Sequence, residues 1–86
     1  MARVFLTRTA REALAALDFL RADAVLDALG ELERDPDLGH RLRGRLTGLR
    51  SYRVGVYRII CELRDAKAVR GVAIRHRGSA YDTDPR

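Results

Sequence analysis

Eighty-six residues, 47% of them hydrophobic and 34% charged, suit one small folded domain with a single modest core, spanning residues 1–86. No apolar run reaches the roughly 20 residues that a membrane helix needs, and the lone Cys61 excludes an internal disulfide. The formal net charge is +5 and unevenly placed: residues 1–40 carry five arginines against eight acids, residues 41–86 eleven arginines and Lys67 against four acids. That asymmetry points to a polyanion-binding surface built by the C-terminal half, the alternative being a charged face that is merely solvated.

The first segment, RVFLT, reads as a short strand with Val4 and Leu6 on one face and Arg3, Phe5 and Thr7 on the other. TARE follows as a capping box, with Thr9 and Glu12 satisfying each other's orphan amides and Ala13, Leu14 and Leu17 at helical spacing. An acid-bearing helical pattern so close to the N-terminus is unlike a signal peptide. A second helix is expected over about 19–34, with Asp18 as its cap and Ala22, Val25, Leu26, Leu29 and Leu32 as its apolar stripe. Asp35-Pro36 stops it, because the residue before proline avoids the helical region. Residues 37–48 have no clear period and read as a basic connector.

Three strands then follow, near 49–54, 57–63 and 68–76, with a tight turn at Gly55-Val56 and another at 64–67. The tail from Arg77 is polar and irregular. The order is β-α-α-β-β-β, an α+β fold with an antiparallel sheet whose first strand joins an edge and whose two helices bury their stripes on one face. The expected core is Leu14, Leu17, Val25, Leu26, Leu29, Leu32, Ile59, Val72 and Ile74. Cys61 with His40 and His76 makes no zinc spacing, so no metal or cofactor is expected, and a single thiol fits a reducing, cytoplasmic setting.

The stretch from Leu42 to Tyr81, LRG-x-L-x-G-LRSYRVG-x-YRII-x-E closing in HR-x-x-x-Y, resembles the RelE/ParE superfamily of bacterial toxins from type II toxin–antitoxin modules, most of all its RelE branch. Two positions depart from that pattern: Val56 stands where the family commonly has Asp, and Cys61 where it commonly has Tyr. The resemblance implies a ribosome-dependent endoribonuclease that cuts messenger RNA in the A site without a metal. The ribose 2′-OH attacks the adjacent phosphate, leaving a 2′,3′-cyclic phosphate and a 5′-OH. It also implies a cognate antitoxin, and contact with the 70S ribosome and its RNA.

That reaction passes through a five-coordinate phosphorane with extra negative charge, which fixed guanidinium groups stabilise. By the resemblance, Arg58 and Arg77 clamp the scissile phosphate and Tyr81 takes part in proton transfer; its ring could instead stack on a base. His76 is a further candidate for proton transfer or orientation, since imidazole titrates near neutral pH. Arg43, Arg45, Arg50 and Arg53 are candidates for contact with RNA backbone. Arg58 could alternatively be a surface strand residue paired with Glu62 or a helix acid, and Tyr81 could simply close the sheet edge over the core. Two other readings are a ParE-like inhibitor of DNA gyrase and a catalytically inactive homologue that binds only RNA or antitoxin.

Overall fold

A computed structural model describes residues 2–65 and 67–86. Its elements are β1 (Arg3–Leu6), α1 (Arg8–Ala15), α2 (Phe19–Arg34), β2 (His40–Arg41), a 3-10 turn (Gly44–Leu46), β3 (Leu49–Val54), β4 (Tyr57–Asp65) and β5 (Ala68–His76). They form a five-stranded sheet in the order β1-β5-β4-β3-β2, with both helices on one face. The expected order of elements is therefore present, with β2 added from within the connector. The sheet is mixed, because β1 arrives across the helices and pairs with β5 in parallel, whereas all other pairs are antiparallel.

Helix α1 starts two residues earlier than the capping box suggests. Thr7 is the N-cap, and its Oγ1 accepts from Ala10 N at 3.2 Å. The same hydroxyl donates to Val72 O, tying the cap to β5, while Glu12 is engaged by Arg8 on the exposed face. Asp18 caps α2 as expected, accepting from Arg21 N at 3.0 Å, and Asp35 ends it. The helix buries Val25, Ala28, Leu29 and Leu32 against Ile59, Cys61, Val69 and Ile74. Leu26, expected in that stripe, instead faces outward at 53% exposed, and Ala28 takes the inner position. No described helix is long and apolar enough to cross a membrane.

Strands β3 and β5 lie where alternation placed them, and β4 runs on to Asp65. The turn expected at 64–67 includes Ala66, which lies outside the described residues. The β3–β4 loop has Gly55 at φ 59°, the left-handed geometry that a two-residue hairpin loop takes at its first position. Gly39 (φ 87°) runs so close to β3 that a Cβ there would sit 2.5 Å from Ser51 O. A bulge in β5 leaves Val72 between the partners of Ile60 and Cys61. Val72 therefore packs on the sheet's second face, not on the helices as expected. There it joins Leu46, Leu49, Ile60 and Ala73, under partly buried Leu42. The second face thus carries its own small apolar cluster, and its arginines gather at the hairpin end.

Candidate nucleic-acid interface

The register sets the site. Arg53 on β3 stands opposite Arg58 on β4, and Arg58 stands opposite Arg75 on β5. Directly opposed residues share a face, with Cβ atoms about 4.5–5.5 Å apart. Two residues further along, the same alternation aligns Ser51, Ile60 and Ala73, so the arginine row lies on the face turned away from the helices. Among the described residues, no carboxylate lies within ion-pair distance of Arg53, Arg58, Arg75 or Arg77. Glu62 does not pair with Arg58: it is held by Arg64 at 2.9 Å and Arg70 at 3.5 Å, and these guanidinium groups lower its carboxyl below the usual range. A cross-strand row of like charges costs the free fold stability. A bound polyanion would offset that cost.

Arg58 is half-buried, and its Nη1 donates to Gly55 O (3.2 Å) in the hairpin loop and to Tyr57 O (3.0 Å) at the start of β4. A guanidinium has five N–H donors, so most of the fork stays available. Arg77 follows β5 directly, and its backbone N–H donates to Val56 O at 2.7 Å, which sets it beside the same loop. Arg53 is exposed at the end of β3.

Tyr81 approaches this face from the tail. Its hydroxyl lies 2.8 Å from Ser51 Oγ, and Ser51 is fully buried. Ser51 is two residues from Arg53 along β3, roughly 7 Å at the usual strand rise. The tail is not loose. Arg75 Nη1 donates to Ala80 O (3.2 Å) and Thr83 O (2.8 Å). Arg86 donates to Thr47 O and Arg45 O at 3.0 Å each, and its guanidinium holds the Asp84 carboxyl below the usual range.

Arg58, Arg53 and Tyr81 are thus brought to one face, with Arg77 beside the hairpin loop at its edge and Arg45 and Arg43 beyond Tyr81 at the 3-10 turn. Two expected residues are not brought there. His76 pairs with Tyr57 on the helix side of the sheet, edge to face at 5.8 Å, and its Nδ1 accepts from Gly78 N. The reason is the pleat: a strand residue directly beside Arg75 must point the other way. Arg50 likewise alternates away from Ser51, and its largely buried side chain is spent on Asp37, at 3.0 Å to the carbonyl and 3.6 Å to the carboxylate. Two residues of the site went unmarked in the sequence, Arg75 and Ser51. Period-two alternation from Arg77 and from Arg53 is the signal that points to them.

The remaining ionisable groups of note are structural. Burial pushes the Cys61 thiol up to about 12. Burial raises Tyr52 as well, with help from Glu31, whose Oε1 accepts a hydrogen bond from the Tyr52 hydroxyl at 3.3 Å. No three described His, Cys, Asp or Glu residues gather where they could hold a metal.

Residues 4–81 match the family model of the ParE toxin of the type II toxin–antitoxin system parDE. Among solved structures, the toxin–antitoxin complex RelBE2 from Mycobacterium tuberculosis contains a similar chain. It is 35% identical at a TM-score of 0.79, over 87% of this chain and 90% of that one. The archaeal RelE-RelB complex from Pyrococcus horikoshii OT3 matches at 27% identity and a TM-score of 0.72, over 92% of this chain and 98% of that one. The YoeB/ParE toxin from Agrobacterium tumefaciens shares the fold at 16% identity and a TM-score of 0.72, over 88% and 98% of the two chains. No curated protein matches the sequence.

Proposed function

The chain belongs to the RelE/ParE superfamily of toxins from type II toxin–antitoxin modules, and on that premise we propose that it is a ribosome-dependent endoribonuclease. The observation that carries this reading is the row Arg53–Arg58–Arg75, with Arg77 at its end, without a carboxylate partner among the described residues and with a tyrosine hydroxyl held by Ser51 on the same face. A nuclease that works by charge stabilisation needs such a surface.

In this reading Arg58 and Arg77 grip the non-bridging oxygens of the scissile phosphate. The 2′-OH of the preceding ribose attacks the phosphorus and loses its proton, and the 5′ oxygen leaves and gains one. The arginines bind the phosphorane more tightly than the ground state, because its charge is greater. Tyr81 takes part in the proton transfer, its hydroxyl oriented by Ser51. Arg53, Arg43 and Arg45 follow the backbone of messenger or ribosomal RNA. Arg50 and His76 have no part, being committed to the other side of the sheet. The whole chain acts as one domain in the cytoplasm, and a cognate antitoxin restrains it. The 35% and 27% identical relatives were both solved as toxin–antitoxin complexes, which supports such a partner.

The matching family model is that of a ParE toxin, which favours gyrase inhibition as the second reading. One pair of assays separates the two. Ribosome-bound mRNA treated with the purified chain should yield fragments ending in a 2′,3′-cyclic phosphate and a 5′-OH, with gyrase supercoiling unaffected. Intact mRNA together with blocked supercoiling would move the assignment to the gyrase reading.

A further inference from the structure

Arg75 belongs to the arginine row by register, yet it spends its guanidinium differently from its neighbours. One nitrogen, Nη1, donates to Ala80 O at 3.2 Å and to Thr83 O at 2.8 Å. These carbonyls lie on either side of Tyr81. Ala80 is buried, at 2% exposed, so the chain is pressed onto the sheet just before the tyrosine. Asp82 N donates to Ser79 O at 3.4 Å, closing a turn around the same point. Residues 79–83 hold no helix or strand ladder to fix them. Arg45 Nη2 reaches Asp82 O at a long 3.4 Å and the Tyr81 hydroxyl meets Ser51 Oγ, while Arg86 pins the chain further out, on the 3-10 turn. The charge of Arg75 is balanced by carbonyl dipoles and by no acid, so its part in the fold is to hold this turn.

We propose that Arg75 is a positioning residue for Tyr81: by clasping the carbonyls on both sides of the tyrosine it sets where the phenol stands over the arginine row. The proposal rests on the ribonuclease reading for its catalytic consequence, whereas the clasp itself is tested without any activity. A side chain that only gripped RNA would leave the tail alone and would act independently of Tyr81. A clasp acts through it.

The experiment is a double-mutant cycle on ribosome-dependent mRNA cleavage with R75M, Y81F and the pair, together with amide exchange at Asp82 by NMR. R75M should lower kcat about 10²-fold, the scale at which roughly 1 Å of misplacement acts, with KM for programmed ribosomes within about threefold. In the pair the effects should not multiply, so that R75M/Y81F cuts as fast as Y81F alone. Exchange at Asp82 should quicken about tenfold or more in R75M, because the turn around it opens. Multiplying effects, or a raised KM with kcat unchanged, would make Arg75 a direct RNA contact and overturn the proposal. If the wild-type chain cuts no RNA, the ribonuclease reading fails, and the clasp is then judged by exchange: unchanged protection at Asp82 in R75M refutes it. R75K takes the place of R75M throughout if the methionine variant does not fold.

Discussion

Arg58→Met removes the guanidinium at the centre of the arginine row. In the free chain it loses two hydrogen bonds, an exposed one to Gly55 O in the loop and a part-buried one to Tyr57 O at the start of β4. It leaves no carboxylate unpaired, because none is paired with Arg58. It also relieves the repulsion from Arg53 and Arg75 on either side. Each hydrogen bond is worth about 1 kcal/mol net and the relief is of similar size, so stability in urea should change by less than about 1 kcal/mol. The effect on catalysis is much larger. Loss of one preorganised donor to a developing oxyanion costs about 10²–10³ in rate, or roughly 2.7–4 kcal/mol. Single-turnover cleavage of ribosome-bound mRNA should therefore slow by that factor. The logarithmic salt dependence of binding should fall by about 0.7, the value of one phosphate contact on a single strand. Cleavage by Arg58→Met within about tenfold of wild type, with stability unchanged, would refute the phosphate role.

Leu32 is a fully buried α2 residue of the helix-side core, so Leu32→Ala should cost about 2–5 kcal/mol in urea unfolding. Asp18 is held below its ordinary 3.8 first by the Arg21 amide and then by the Arg21 guanidinium. Asp18→Ala should therefore melt earlier than wild type at neutral pH, and the gap should close as pH falls below 3.8, where the cap protonates. Cys61 should resist a thiol-specific disulfide reagent at pH 8 until the chain is unfolded. Its share of stability should decline as pH rises from 9.0, where the unfolded thiol ionises, towards about 12.

Local chemistry made most of the fold legible. Alternation over 49–54 and 68–76, with the turn at Gly55-Val56, yields β3, the hairpin and β5, and Asp18 and Asp35-Pro36 bracket α2 within a residue. What local patterns do not carry is contact with distant chain. Thr7 and Thr9 are both competent caps, and Thr7 wins because Val72 O, sixty-five residues away, bonds the same hydroxyl. Val72 changes face because of a bulge that no residue type announces. The tail reads as irregular, yet arginines on β5 and at its own end tie it down. At the site, Arg58, Arg77 and Tyr81 stand out by motif, whereas Arg75 is marked only by its place within β5 and is tied to Arg58 by the register. His76 could have been set aside from the sequence alone. It directly follows Arg75 on β5, so the pleat that turns Arg75 towards the open face turns it away.

The most direct measurement is primer extension on an mRNA incubated with the purified, folded chain, with and without translating ribosomes. New 5′ ends inside codons, appearing only with ribosomes and absent with Tyr81→Phe, are the predicted result. An mRNA left uncut under both conditions by protein shown to be folded would contradict the account.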